Sequence, residues 1–309
     1  MINLILVNQA EKQNPEDFEE IRRQIAAKAD DILVHIVDTK ARHWPISEEV
    51  SKLPTVTISF LPIRHFKSPR GPVFQGFEFR KSDQYVRLRE IGVSVPDWQI
   101  IEADTKLDPD LWGPYVVVKP DLGKKGAEIR VKKTSRVRYK PPEAFPEEHP
   151  ARNAPMLAQR FVYTGPWACY YRVVTLFGRT LLCWFCEIDH SYPALTSRYG
   201  FAEQGGVTIV SNKKTSRYKL GFDRAVISLA EEAHAAFPQQ PLLGTDIVRD
   251  HETGALYVLE CNPRGDTWMF SSYTGTEIQN AHNIDFRSQF GGLSLAADVL
   301  IEEARRRAR

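Results

Sequence analysis

The segment from Leu243 to Gly265 constrains the fold most, because it has the pattern of two strands joined by a polar turn. The stretches GTDIV and ALYVLE have strand composition, and DHETG between them has turn composition. Pairing of the two stretches as a hairpin brings Asp246 close to Glu260. Asn262 points the same way as Glu260, since side chains two residues apart on a strand share a face. The sequence therefore predicts two carboxylates and an amide oxygen converging at the ends of one hairpin.

Oxygen donors of this kind suit hard cations. Mg²⁺ in particular is usually held by one or two carboxylates together with substrate phosphates. The competing interpretation is that all three side chains are solvated turn residues. An acid placed between apolar strand residues and followed by Cys-Asn-Pro favours the metal site. We therefore expect Mg²⁺, with Mn²⁺ as the alternative, at Asp246, Glu260 and Asn262.

The composition is that of an ordinary globular chain, with 309 residues, 42% apolar and 26% charged. A formal net charge of +2 gives no argument for nucleic acid, and no apolar run is long enough to span a bilayer. Met1 leads directly into an apolar run that we expect to be a strand and not a signal peptide. Four cysteines are too few for a disulfide framework, so a cytoplasmic location is expected, and Cys183 and Cys186 are expected to pack in cores on opposite faces of a strand.

The first quarter of the chain alternates apolar runs with one strongly periodic helix. Phe18, Ile21, Ile25 and Ala29 have helical spacing between two strand-like runs, which predicts a small βαβ unit with a parallel sheet. No Gly-x-Gly-x-x-Gly occurs there, so a dinucleotide-binding unit has no local support. The basic, aromatic segment 64–81 is either a solvated linker or a loop that contacts substrate or phosphate.

Two basic side chains stand among apolar strand residues. Lys119 ends the run YVVVK and is costly to bury without an anion, and Arg172 lies within a second apolar strand. Gly123 and Gly126, in the loop after Lys119, can take conformations that turn backbone amides toward a phosphate. A β-hairpin with an exposed basic turn explains the lysine and its loop equally well.

Four stretches occur in a distinctive order: RKSDQYVRLREIGVSVP, YVVVKPDLGKKGAEI, QRFVYTGPWACYYRVVTLFG, and GTDIV with YVLECNPRG. Together they resemble the ATP-grasp superfamily over nearly the whole chain, and most closely carboxylate–amine ligases of the ribosomal-protein glutamate ligase and D-alanine–D-alanine ligase type. The resemblance implies an α/β fold, with α+β organisation in the nucleotide-binding part. It divides the chain into a pre-grasp domain (1–80), a central subdomain with a glycine-rich lid loop (81–158) and a C-terminal subdomain with the metal site (159–309).

The resemblance also assigns roles to residues. Those that would bind ATP are Lys81, Lys119, Gly123, Gly126, Gln159, Arg160, Phe161 and Val162. Those that would act as catalytic cations on the transferring phosphoryl group or the substrate are Arg172, Arg198 and Arg264. The metal ligands are again Asp246, Glu260 and Asn262. Arg160 and Tyr170 stand where the family usually has acidic residues.

The implied activity is an ATP- and Mg²⁺-dependent ligase that joins a carboxylate to an amine through an acyl phosphate and releases ADP and phosphate. The basic segment 64–81 suggests an anionic acid, such as an amino acid, a peptide carboxylate or a small polyacid. The alternatives are a phosphotransferase on a small-molecule hydroxyl or carboxylate, and a nucleotide-binding scaffold without turnover. A nucleic-acid binder using residues 124–140 is disfavoured because few aromatic residues interleave there. No membrane partner is expected, and a homodimer is left open.

Overall fold

Three β-sheets organise the part of the chain that the computed structural model describes, namely residues 1–42, 46–123, 128–199, 216–263 and 268–309. The first sheet is parallel, and the other two are antiparallel. No helix within these ranges is long and apolar enough to cross a membrane.

The N-terminal sheet has the strand order β2-β1-β3-β4 and confirms the predicted parallel βαβ unit. Its first helix begins after Asn14, whose side chain accepts a hydrogen bond from the Glu16 amide, and proline occupies the first helical position. The segment 64–81 contributes the edge strand of this sheet and is therefore no free linker. The elements are β1 (Ile2–Asn8), α1 (Pro15–Lys28), β2 (Ile32–Asp38), α2 (Glu48–Ser51), β3 (Thr55–Ser59) and β4 (Val73–Gln75).

The central sheet has the order β5-β8-β6-β7, and all of its neighbouring strands are antiparallel. Three short 3₁₀ turns lie between residues 134 and 152. The elements are α3 (Lys81–Glu90), β5 (Trp98–Ile100), α4 (Pro109–Trp112), β6 (Tyr115–Pro120), β7 (Arg130–Lys133) and β8 (Met156–Arg160). Strand β8 crosses the predicted boundary between residues 158 and 159, and the three domain boundaries stay predictions.

The C-terminal sheet has the order β11-β10-β9-β12-β13. The β9–β10 hairpin turns at Gly178, with φ +86° at that residue. The elements are β9 (Cys169–Leu176), β10 (Arg179–Glu187), β11 (Arg217–Leu220), α5 (Arg224–Ala235), β12 (Leu242–Arg249), β13 (Leu256–Asn262), α6 (Tyr273–His282) and α7 (Gly292–Arg307).

The two faces of the C-terminal sheet pack into different cores. One face, which includes Cys183, packs against α5. The other face, which includes Cys186, joins a core shared with the N-terminal sheet, α1 and α7. Both cysteines are free and buried, which confirms their predicted packing role.

The segment after β13 docks on the N-terminal unit. The Trp268 ring stacks on Phe60 with centroids 4.8 Å apart, and its indole Nε1 donates to Asp17 on α1 at 2.8 Å. Asp17 also accepts hydrogen bonds from Ser271 Oγ at 2.5 Å and from Arg287 Nη2 at 2.6 Å. The N-terminal sheet therefore completes its core with residues that lie more than 200 positions later in the chain.

Candidate active site

The hairpin of β12 and β13 confirms the predicted strand pairing. Asp246 lies opposite Glu260 and Gly244 lies opposite Asn262, whereas Ile247 lies opposite Val258. Leu259 is therefore left without a partner on β12, which is a β-bulge. The two carboxylates and the Asn262 amide lie at the strand positions where the sequence placed them.

A row of side chains crosses the sheet beside this hairpin. Four residues are in register on neighbouring strands, namely Trp184 on β10, Arg172 on β9, Asp246 on β12 and Glu260 on β13. Arg172 donates to Asp246 through Nε at 2.5 Å and Nη2 at 2.6 Å, and its guanidinium lies 5.6 Å from the Trp184 ring centre. Asn262 Nδ2 also donates to Asp246, at 3.3 Å.

The Arg172–Asp246 pair has consequences for both charges. Burial raises the pKa of Asp246 despite the opposing effect of Arg172. Burial alone would lower the pKa of Arg172, but the Asp246 carboxylate raises it above its ordinary value. Arg172 was expected to face a transferring phosphoryl group. In this structure its guanidinium holds a predicted metal ligand by a bidentate contact, so it orients Asp246.

Two buried lysines approach the hairpin from different elements. Lys81, at the start of α3, places Nζ 3.2 Å from Glu260 Oε1 and donates to the Gly123 carbonyl at 3.3 Å. Lys119, on β6, is only 4% exposed and donates to Gln159 Oε1 at 2.8 Å and to the Leu259 carbonyl at 3.4 Å. Both acceptors of Lys119 among the described residues are neutral, so its charge is desolvated without a paired carboxylate. Burial accordingly lowers the pKa of Lys119 to about 8.

Asp121 is a site residue that the sequence reasoning missed. It is 1% exposed and accepts hydrogen bonds from the Ser82 amide at 2.8 Å and the Ser82 hydroxyl at 2.9 Å. Because Arg80 makes no side-chain cap at the start of α3, Asp121 supplies the missing acceptor and fixes the position of Lys81. The sequence feature that could have identified Asp121 as a site residue is its position two residues after Lys119.

Two α3 side chains that the sequence did not single out as site residues contact the edge of β13. Gln84 Oε1 accepts a hydrogen bond from the Cys261 amide at 2.8 Å, and the Tyr85 hydroxyl donates to the Leu259 carbonyl at 2.8 Å. Tyr85 is fully buried, and burial raises its pKa well above its ordinary value, so the hydroxyl keeps its proton.

Other predicted site residues lie away from this cluster or outside the described residues. Arg198 pairs with Glu252 in the β12–β13 turn, with Nε 3.0 Å from Oε1. That turn begins four residues beyond Asp246, which is about 13 Å along a strand. Arg160 faces Asp97 at 3.7 Å, whereas its neighbour Gln159 faces Lys119. The positions that fall outside the described residues are Gly126 and Arg264.

The remaining predicted ATP-binding residues, Phe161 and Val162, follow β8 directly. Phe161 packs in a small cluster with Tyr115, Tyr163 and Leu195, and Val162 is half-buried beside it. The structure thus brings together Asp246, Glu260, Asn262, Arg172, both lysines, Gly123 and Gln159. It does not bring Arg198 to them.

Comparison of the sequence with protein-family models and with curated proteins gave no match. Comparison with solved structures gave matches over almost the whole chain. D-cycloserine synthetase DcsG is 14% identical over 98% of this chain and 99% of that chain, with a TM-score of 0.51. The ATP-grasp ligase PsnB complexed with minimal precursor, Mg and ADP is 13% identical over 98% of each chain, with a TM-score of 0.51.

The macrocyclase MdnC bound with precursor peptide MdnA from Microcystis aeruginosa MRC is 10% identical over 98% of this chain and 100% of that chain, with a TM-score of 0.50. These identities are too low to carry more than the architecture. The agreement over the full length, together with the three sheets and the metal-type hairpin, establishes that the chain has the ATP-grasp fold.

Proposed function

We propose that the chain is an ATP- and Mg²⁺-dependent ligase that joins a carboxylate to an amine through an acyl phosphate and releases ADP and phosphate. One observation carries the proposal. Two buried lysines from α3 and β6 reach the same hairpin that presents Asp246, Glu260 and Asn262. Cations for a polyphosphate and oxygen ligands for a divalent ion therefore lie side by side.

The oxygen donors fit a cation that is shared with phosphate. Within the described ranges, no group of three His, Cys, Asp or Glu side chains is placed to hold a metal ion. Two carboxylates and one amide oxygen leave coordination positions for phosphate oxygens, which is the usual arrangement for Mg²⁺. The presence of Mg and ADP in the PsnB complex supports this choice.

The buried lysine on β6 fits a nucleotide phosphate. Lys119 is desolvated among neutral acceptors, and an anion beside it would recover the cost of burying its charge. Lys81 supplies a second positive charge. Residues 159–162 form the end of β8, which pairs with the strand of Lys119, and the two residues after it, where they would contact the adenine. When bound, ATP would supply the phosphoryl group that activates the carboxylate, and Mg²⁺ would neutralise its charge.

The residues of this chain have separate tasks in this scheme. Asp246, Glu260 and Asn262 would bind the cation, while Arg172 holds the Asp246 carboxylate in one orientation. Lys81 and Lys119 would hold the phosphates, and Asp121 keeps Lys81 at the helix start. Fixed charges aimed at a phosphoryl group are the main protein contribution to this chemistry.

A substrate screen tests the proposal. The full chain would be incubated with Mg²⁺, ATP and pools of amino acids, peptides and small polyacids, each with and without amines, and products would be read by mass. Peptide acids come first, because the compared MdnC structure contains a precursor peptide and the PsnB structure contains a minimal precursor. We expect ADP release that requires an acid, and a new amide that requires an amine. A stable phosphoester formed without any amine would identify a phosphotransferase and overturn the ligase proposal.

A matched pair of variants assigns the activity to the site. Glu260→Gln keeps the side-chain shape but removes a metal-ligand charge, so we expect a folded protein without turnover. Glu252→Gln makes the same change in the turn of the same hairpin, where the carboxylate faces Arg198 and solvent. We expect Glu252→Gln to keep the wild-type rate. Undiminished ATP consumption by Glu260→Gln would contradict the site assignment.

A further inference from the structure

Helix α3 contacts three consecutive residues of β13, each through a different side chain and a different kind of group. One contact is an ion pair, one is a hydrogen bond to a main-chain amide and one is a hydrogen bond to a main-chain carbonyl. The three pairs are Lys81 with Glu260, Gln84 with the Cys261 amide, and Tyr85 with the Leu259 carbonyl.

These contacts provide hydrogen-bond partners for main-chain groups of β13. Among the residues that the structure describes, the strand lies at the edge of its sheet, and no further strand pairs with its outer side. The bulge also leaves Leu259 without a partner on β12. Main-chain groups buried without partners are costly, and the α3 side chains supply partners at this point. Residues 81, 84 and 85 lie on one face of a helix, so a single helix serves all three sites.

The bulge decides which way the metal-type side chains face. Val258 and Cys261 are three residues apart, yet both pack in the core on the α5 side of the sheet. In a regular strand, residues three apart point to opposite faces. The extra residue at Leu259 reconciles the two positions and leaves Glu260 and Asn262 on the face of Asp246. A side chain that fixes the position of the Leu259 carbonyl therefore also fixes the direction in which the Glu260 carboxylate points.

We propose that Tyr85 and Gln84 are positioning residues for the divalent cation site. They clamp the Leu259 bulge from outside the sheet and thereby aim Glu260 at Asp246. The Leu259 carbonyl also accepts from Lys119 Nζ at 3.4 Å, so the same bulge links the metal strand to a phosphate-binding lysine. This inference rests on the proposed function, since it assigns a metal to the hairpin.

The sharpest perturbation is Tyr85→Phe, which removes one hydroxyl and keeps the ring. Residues that orient metal ligands typically change metal affinity by about 10- to 100-fold when mutated, so we expect roughly tenfold weaker cation binding. Gln84→Met removes the acceptor of the Cys261 amide at similar volume and should weaken binding in the same direction.

Thr134→Val is the matched control. Thr134 is 2% exposed and its hydroxyl donates to the Gly113 carbonyl at 2.6 Å, near the opposite end of β6 from Lys119. The control thus deletes one buried hydroxyl-to-carbonyl hydrogen bond away from the hairpin. We expect it to bind the cation as tightly as the wild type does.

The measurement is Mn²⁺ binding to the full chain in the presence of ADP, followed by the electron paramagnetic resonance signal of free Mn²⁺. Melting temperatures would confirm that each variant is folded. Weaker binding by Tyr85→Phe and Gln84→Met, with unchanged binding by Thr134→Val, supports the inference. Wild-type affinity in both α3 variants overturns it, and so does an equal loss in Thr134→Val. Absence of Mn²⁺ binding by the wild type overturns the proposed function and this inference together.

Discussion

Replacing Lys119 by methionine should stabilise the nucleotide-free protein at neutral pH. Burial lowers the pKa of Lys119 from 10.5 to about 8. A difference of that size means that keeping the buried lysine charged costs about 3 kcal/mol, at about 1.4 kcal/mol per pKa unit. Loss of the hydrogen bonds to Gln159 and Leu259 would cost about 1 kcal/mol. The net expectation for Lys119→Met at pH 7 is a gain of about 2 kcal/mol in the free energy of unfolding.

The gain should depend on pH in a defined direction. Between pH 8 and 10.5 the unfolded chain binds the Lys119 proton more tightly than the folded chain does, so the free energy of unfolding of the wild type rises with pH. Lys119→Met lacks this slope. The advantage of the variant should therefore shrink above pH 8 and reverse near pH 10, when the wild-type lysine is neutral and keeps its hydrogen bonds.

Urea unfolding at pH 7, 8.5 and 10 measures this difference. Lys106→Met, at an exposed position, is the control and should stay within about 0.5 kcal/mol of the wild type. Calorimetry should show that Lys119→Met binds ATP more weakly than the wild type does, although it is more stable. A variant that is less stable than the wild type at pH 7, with a parallel pH dependence, would refute the reasoning that Lys119 is a desolvated charge.

Four further variants test two buried charged or titratable sites and the docking of the segment after β13 on the N-terminal unit. Burial lowers the pKa of His234 to about 4, so the free energy of unfolding of the wild type should fall by about 3 kcal/mol between pH 6.5 and pH 4. Urea unfolding measures this loss, and an equal loss in His234→Gln would contradict the prediction. Trp268→Phe removes a donor to buried Asp17 and should cost about 1–3 kcal/mol, whereas an unchanged melting temperature would disprove the anchor. Asp246→Asn leaves Arg172 without its carboxylate and should cost about 3 kcal/mol. Adding Arg172→Met should recover part of that loss, and additive losses would contradict the pairing.

The hairpin could be predicted from the sequence because its signals are local. Strand alternation, turn composition and the spacing from Asp246 to Asn262 all lie within about twenty residues. The packing of Cys183 and Cys186 on opposite faces of β10 could be predicted for the same reason. In each case neighbouring residues decide the geometry.

The bulge at Leu259 could not be predicted in this way. Its main-chain carbonyl is satisfied by Tyr85, which lies more than 170 positions earlier in the chain. The pairing of Arg172 with Asp246 also depends on strand order, because β9 lies next to β12 although β10, β11 and α5 intervene in sequence. Contacts of this kind are set by tertiary packing, which a motif does not contain.

Helix α6 was missed for a different reason. Its sequence, YTGTEIQNAH, contains a glycine near the start and few apolar residues, so it has a weak helical pattern. Gly275 is required there by close packing, since an added Cβ would lie 2.0 Å from the Met269 carbonyl oxygen. The demand for a small residue comes from a neighbouring turn and opposes the intrinsic helix preference.

The stacking of Phe60 on Trp268 has a consequence for synthesis of the protein. During translation, Phe60 and the helix face of α1 leave the ribosome about 200 residues before Trp268 and α7 do. At about 5–20 residues per second, that interval lasts roughly 10–40 s. Throughout it the nascent N-terminal unit presents an uncovered aromatic surface. That surface is where a chaperone would bind, and where premature association of unfinished chains would begin.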